Sequence, residues 1–392
     1  MQIYLDYSAT TPTRPEAIAA MQKALTQQWG NPSSIHQWGQ RAATVVETAR
    51  MQVASLINAA PDEIVFTAGG TEADNLALVG IARRYRKPQH IIISSVEHSA
   101  VSKTALLLEQ WGWDVTRLPV NPQGRVHPHD LKNALRENTV LVSVIYGQSE
   151  VGTVQPIQEL GEIARAAGVL FHTDAVQVVG RMKVDLQQLP VDLLSLSSHK
   201  IYGPQGVGAL YRREGVELVP LLTGGGQEYQ LRSGTGAVPA IAGFGIAAEL
   251  AETELGTETP RLRTLRDRLF DRLADTPGMV ATGDRLHRLP HHASFCLTDT
   301  PRISGGEPIT GRTLVRQMNL AGIAISSGSA CNSGQLNPSP LLLAMGYSPA
   351  AATAAIRLTL GRYTTEADID WTAMVLQQIL ARLRPSPALS NV

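Results

Sequence analysis

The chain has 392 residues, 34 basic and 34 acidic side chains, and 43% hydrophobic content. That length and apolar fraction suit a large buried core divided between two domains, and the even charge argues against a nucleic acid or an anionic membrane as partner. Two cysteines, Cys296 and Cys331, are too few for a disulfide framework and suit a reducing cytoplasm. No apolar run reaches the length of a membrane span. The opening residues, Met1-Gln2-Ile3-Tyr4-Leu5-Asp6, lack the basic and apolar regions of a secretory signal.

In chain order, residues 37–58 carry apolar side chains at Trp38, Val45, Val46, Ala49, Val53, Leu56 and Ile57, the spacing of a helix. From about 60 to 212, short apolar runs alternate with helical patterns. Residues 64–66, 91–93, 140–144, 169–171 and 192–196 read as buried strands with crossover helices between them. Such alternation predicts a mostly parallel sheet covered on both faces. Ligands of these sheets bind beyond the carboxyl ends of the strands. Leu262, Leu265, Leu269 and Leu273 then repeat at helix spacing just after Pro260, and Leu376, Ile379, Leu380 and Leu383 do so near the end. Strands are expected around residues 293–297 and 323–325, and a surface loop over 300–310. Residues from about 261 onward read as a smaller α+β domain.

The polar residues of interest fall at the predicted strand ends. Ser197-Ser198-His199-Lys200 follows the strand at 192–196 and precedes a glycine-rich segment, 203–208. A desolvated lysine amine there can form a Schiff base with a carbonyl compound, which makes Lys200 a candidate anchor for pyridoxal phosphate; it also reads as a surface lysine after a strand. Asp174 could pair with a protonated pyridine nitrogen or cap a helix. Gln177, one turn on, could reach a phenolic oxygen or face solvent. Gly69-Gly70-Thr71 leads from a strand into a helix, where free N–H groups and the Thr71 hydroxyl suit a phosphate. Ser197 and His199 could add two donors. His98 could stack on a flat ring and move protons, or be structural.

Cys331 lies in Ser326-Ser327-Gly328-Ser329-Ala330-Cys331-Asn332-Ser333-Gly334, a composition that resists regular structure and suits a solvent-reachable nucleophile. Cys296 sits in an apolar strand pattern and reads as inert core. Arg357, a lone cation in the alternating run 355–360, suits an amino-acid carboxylate or a buried acid. His287, His291 and His292 lack a metal-ligand spacing and read as surface.

Taken in order along nearly the whole chain, these motifs resemble the cysteine desulfurases of the NifS/IscS type, in the class V aminotransferase family of fold type I pyridoxal-phosphate enzymes. The match includes Tyr4 to Pro12, Gly30-Asn31-Pro32-Ser33-Ser34, Gly70-Thr71-Glu72, Glu97-His98 and His172-Thr173-Asp174-Ala175-Val176-Gln177. It continues through Ser197 to Lys200, Arg232-Ser233-Gly234-Thr235, Ser326 to Cys331, and Arg357 to Thr365. The long serine-rich cysteine segment is similar to the group I enzymes.

The resemblance implies a large domain over 13–260 with a seven-stranded-type sheet. It also implies a small domain of 1–12 and 261–392 that carries the cysteine loop at about 322–338. Lys200 would be the Schiff-base lysine and proton shuttle, Asp174 the pyridinium partner, Gln177 the phenolic-oxygen partner, and His98 the stacking ring. Gly70, Thr71, Ser197 and His199 would bind the phosphate, and Thr235 the phosphate of the other subunit, which implies a homodimer with shared active sites. Asn31 and Arg357 would hold the substrate carboxylate, and Cys331 would take sulfur from L-cysteine as a persulfide, leaving L-alanine. The sulfur would pass to acceptor proteins such as an iron–sulfur scaffold. C–S lyase or selenocysteine lyase chemistry on the same cofactor is the alternative, followed by a weakly active interaction platform. One position departs: the family usually has Asn-Asn-Glu where this chain has Gln148-Ser149-Glu150. The shorter Ser149 would have to contact the cofactor's phenolic oxygen, or be replaced there by Gln148 or water.

Overall fold

A computed structural model describes residues 2–298, 308–328 and 337–383. Seven strands form the main sheet, in the spatial order Ile64–Thr67, Gly208–Arg212, Leu193–Ser197, Leu170–Asp174, Thr139–Ser143, His90–Ser94, Asp114–Leu118. Gly208–Arg212 alone runs antiparallel to its two neighbours; the other pairings are parallel. All five strands read from the sequence are present. The two that were not read have physical reasons. Asp114–Leu118 is an edge strand with an exposed, polar pattern. Gly208–Arg212 is disguised by its glycine-rich approach.

Both faces of the sheet are covered, as continuous apolar strands require. Ile92, Val142, Phe171 and Leu194 pack with the helix Gln37–Leu56 and with Phe244. Ile91, Ile93, Leu141 and Leu193 pack on the other side with Leu76, Val101 and Leu108 from the helices Gly70–Ala82 and Ser99–Gln110. Successive residues thus serve opposite layers, the period of two expected of a strand.

A separate four-stranded antiparallel sheet has the order Ser326–Ser327, Ile356–Thr359, His292–Leu297, Met279–Ala281. Its core includes Leu262, Leu269, Phe295, Leu358 and Leu376. The expected strand at 323–325 divides: Ile323–Ala324 pairs in parallel with Ile3–Tyr4, while Ser326–Ser327 joins the four-stranded sheet. The leucine stripe after Pro260 is not the start of a helix but the second half of one, Val238–Leu273, 36 residues long with Pro260 inside it. Its first half packs in the large core and its second in the small one. A proline there costs one intrahelical hydrogen bond, which packing on both cores offsets. Residues 299–307, most of the expected loop at 300–310, lie outside the described residues, as does Pro385. Among the described residues no helix is long and apolar enough to cross a membrane.

Candidate active site

Lys200 closes a short 3-10 turn, Ser198–Lys200, directly after the strand Leu193–Ser197. Its Nζ donates to the carbonyls of Ser8 (2.6 Å) and Ala9 (2.8 Å). The Gln177 amide donates to the same Ser8 oxygen at 2.9 Å. The N-terminal segment is therefore a wall of the site, a role that its sequence did not advertise. Thr11 adds a second tie, since its N–H and hydroxyl both donate to the His199 carbonyl.

Asp174 ends the strand Leu170–Asp174 and is buried; its Oδ1 accepts from the Val176 N–H at 3.0 Å. Burial raises its pKa, opposed by His98, the Val176 N–H and Lys200. Asp74, one turn into the helix Gly70–Ala82, brings a carboxyl oxygen alongside. One ligand atom each from Asp74, Asp174 and His98 lie within 4.8 Å of one another. His98 itself caps the helix Ser99–Gln110, its Nδ1 accepting from the Ala100 N–H. His172 is fully buried between the Ser143 hydroxyl (2.8 Å from Nδ1) and the Ser195 hydroxyl (3.0 Å from Nε2). Burial lowers its pKa to about 3, so the ring is neutral. Glu97 is raised to about 8 by burial, although its Oε1 accepts from Ser94 and from the Ile145 N–H. His172 precedes Asp174 by two on one strand, so period-two alternation alone puts both on one face. Asp74 stands one helical turn after Gly70. Those spacings were available signals that the sequence reading did not use.

Gly70 starts its helix beside Ser197: a Cβ there would come within 2.8 Å of Val176 Cγ2 and 3.6 Å of Ser197 Cβ. A Cβ on Gly208 would meet the Gly69 backbone at 2.8 Å. Glycine is thus needed to let strand and helix close around this N-terminus, whose first-turn N–H groups have no intrahelical partner. Thr71 is exposed at that end, and Ser197 is buried beside it. His199 Nδ1 lies 3.1 Å from Thr10 Oγ1, and burial lowers its pKa to about 4, Lys200 adding to the effect. A primary amine, a buried carboxylate, an imidazole and a glycine-lined helix N-terminus with two hydroxyls are together the donor set that a phosphorylated pyridine aldehyde requires.

Arg357 lies on the strand Ile356–Thr359 of the second sheet and is buried. Nη2 pairs with Asp6 at 2.7 Å and Nη1 donates to the Ser149 carbonyl at 2.9 Å. Nε is buried with no hydrogen-bond partner among the described residues. The guanidinium thus has a partly buried acid, Asp6, and a further donor with no partner among the described residues. The Ser149 carbonyl also accepts from His292 Nε2 at 3.0 Å. Gln148 is committed to its own turn: its Oε1 accepts from the N–H groups of Glu150 and Val151. It therefore does not stand in for the amide absent at Ser149. Glu150 is raised by burial to about 7 and accepts from the Ser339 hydroxyl at 2.6 Å.

Two of the three histidines need correction. His287 is exposed as expected, but His291 and His292 are buried, at 1% and 0% exposure. His292 begins the strand His292–Leu297, which lies between two partners in its sheet, and His291 immediately precedes it. Cys296 on the same strand is buried and its thiol is pushed up to about 12 by burial, which fits inert core. Asn31 and Thr235 lie together. Both are exposed and line a cavity of about 230 Å³ with Arg50, Glu228 and Tyr229. Cys331 lies outside the described residues.

The aminotransferase class-V family profile matches residues 3–371. The chain is 44% identical over 388 residues to the cysteine desulfurase IscS of Dictyoglomus turgidum, covering 98% of this chain and 95% of that protein. It is also 44% identical over 383 residues to the IscS of Methanosarcina thermophila, covering 97% and 93%. A solved NifS-like protein superposes with a TM-score of 0.90 at 34% identity over 97% of this chain and all of the other. On the profile, on identity across nearly the full length and on the shared fold, the chain belongs to the class-V aminotransferase family.

Proposed function

We propose that this chain is a pyridoxal-phosphate-dependent cysteine desulfurase that converts L-cysteine to L-alanine and transfers the sulfur to Cys331 as a persulfide. The observation that carries the reading is the joint position of Lys200, Asp174 and His98 beside a glycine-lined helix N-terminus, in a chain 44% identical to IscS desulfurases. When bound, pyridoxal phosphate supplies an electron sink that labilises bonds at the substrate's α and β carbons.

The chain's own residues have separable tasks in this reading. Lys200 holds the cofactor and moves the substrate α-proton at Nζ; the Ser8 and Ala9 carbonyls aim the amine. Asp174 keeps a proton on the ring nitrogen. His98 covers the ring, and Gln177 with Ser149 faces its phenolic oxygen. Gly70, Thr71, Ser197 and His199 bind the phosphate. Arg357 and Asn31 hold the substrate carboxylate, Arg357 through the Nε that has no partner among the described residues. Thr235 is exposed beside Asn31, which supports a homodimer in which this rim completes the partner's site. The exposed Trp29, Ile35 and Trp38 nearby in sequence give such an interface apolar area. Two bodies, 13–260 and 1–12 with 261–392, fit the two separate sheets and cores. Delivery to an iron–sulfur scaffold or another acceptor, in the cytoplasm, completes the proposal.

Incubation with L-cysteine and pyridoxal phosphate tests it. Equal amounts of alanine and transferable persulfide sulfur are expected. Pyruvate and ammonia in their place would indicate a lyase and overturn it. Cys331→Ser is expected to keep the cofactor and to lose the persulfide; undiminished persulfide would remove Cys331 from its role.

A further inference from the structure

Asp74 has no place in the chemistry above, yet it lies against Asp174, and both are buried, at 1% and 5% exposure. Its Oδ1 has no hydrogen-bond partner among the described residues and stands 3.6 Å from His172 Nε2. Ser195 lies beside the same carboxyl, and its Oγ is 3.0 Å from His172 Nε2, while His172 Nδ1 is 2.8 Å from Ser143 Oγ. Ser195, His172 and Ser143 thus form one chain of hydrogen bonds beneath the site, with the Asp74 carboxyl at its end.

We propose that Asp74 is a positioning residue that carries a proton as a neutral carboxylic acid, so that Asp174 is the single negative charge beneath the cofactor. This rests on the reading of Asp174 as the partner of the ring nitrogen. Two carboxyls in one buried site do not both ionise; one takes a proton. Their surroundings decide which. Asp174 has the Val176 N–H, His98 and Lys200 to hold its charge. Asp74 faces Ser195, the neutral His172, the acids Asp174 and Glu97, and the His98 ring that also faces Asp174, and its Oδ1 has no donor among the described residues. Burial, then Asp174, pushes its proton affinity well above that of an ordinary carboxyl. With Asp74 protonated the hydrogen bonds run in one direction and carry no net charge. A neutral Asp74 can turn its O–H toward Ser195, which leaves the Ser195 O–H to donate to His172 Nε2 and His172 Nδ1–H to donate to Ser143. A charged Asp74 would raise the proton affinity of Asp174 and loosen its hold on one fixed ionisation state.

The test compares wild-type holoenzyme with Asp74→Asn, and with Asp74→Ser as a second variant should the amide not fold. An infrared difference spectrum at neutral pH is expected to contain the carbonyl stretch of a protonated carboxyl lost with Asp74. The paired bands of a carboxylate in its place overturn the proposal. The pH midpoint of the visible absorbance of the lysine-bound cofactor is expected to move by less than about 0.5 unit, because no charge has been removed. A fall of about 0.5 unit or more means that Asp74 was ionised, and also overturns it. Asp174→Asn separates the two layers of the argument. If that variant keeps the wild-type visible spectrum and cofactor affinity, Asp174 is not the ring's partner and the underlying reading fails, whereas the infrared band still reports the protonation of Asp74.

Discussion

The two walls of the site solve the same problem, polar groups out of water, in opposite ways. On the Asp174 side, burial drives its neighbours toward their neutral forms: His172 is lowered to about 3, Glu97 is raised to about 8, and Asp74 is raised well above the usual carboxyl range. On the Arg357 side, charge is kept and paired, with Asp6 on one nitrogen, the Ser149 carbonyl on another, and Nε held back. The first arrangement suits a wall that must control a proton. The second suits a wall that must receive an anion, because a guanidinium stays charged and offers several donors. Under the proposed function, the difference teaches that proton control falls to the main sheet and substrate binding to the small one.

Four substitutions would break or sharpen that contrast. Lys200→Ala, at the junction of the two walls, is expected to abolish the visible absorbance of the bound cofactor and to lower turnover by roughly 10³-fold or more. An unchanged spectrum would sink the assignment. Arg357→Lys should raise KM for L-cysteine roughly 10–100-fold, from the loss of charge-assisted hydrogen bonds, while the cofactor spectrum stays as it was. A change in the spectrum with KM unaffected would dissolve the distinction between the walls.

Glu97 tests the neutral wall by pH. Its folded pKa of about 8 lies above the ordinary 4.5, so the folded state holds the proton more tightly than the unfolded chain does. The stability from this group is complete below about pH 4.5 and is lost as pH rises toward about 8. Glu97→Gln should remove up to about 1.4 kcal/mol per pH unit of destabilisation across that window. Parallel melting-temperature profiles for variant and parent would show that Glu97 does not titrate there. The smallest effect is expected from Ser149→Asn, which adds the amide that the family usually carries. Cofactor affinity or kcat should improve by up to about tenfold, the worth of one ordinary hydrogen bond of about 0.5–1.5 kcal/mol. A loss would mean that the larger side chain does not fit beside the main-chain carbonyl on which Arg357 and His292 converge.

The difference between the walls also explains what was legible beforehand. Lys200, Asp174, His98 and the turn at Gly70 sit at strand ends of a doubly covered sheet, where local pattern and chemistry coincide. Their neighbours were not legible as a network. Asp74 and Asp174 are 100 residues apart, by subtraction, and nothing local says that their carboxyls meet. His291 and His292 read as surface because a polar pair in a histidine-rich stretch looks solvated; only their place between two strands buries them.

By itself the sequence determined the layered α/β fold, because apolar runs and helical stripes state their own burial. It also offered a candidate donor set, because an amine, a carboxylate and a thiol have chemistry wherever they stand. Only the tertiary structure decided that residues 6–11 form a wall against Lys200, that one helix runs unbroken through Pro260 into both cores, and that two carboxyls share one buried site. These depend on contacts between segments far apart in the chain. Proton affinities follow from such contacts, since burial and neighbouring charge are properties of the packed interior.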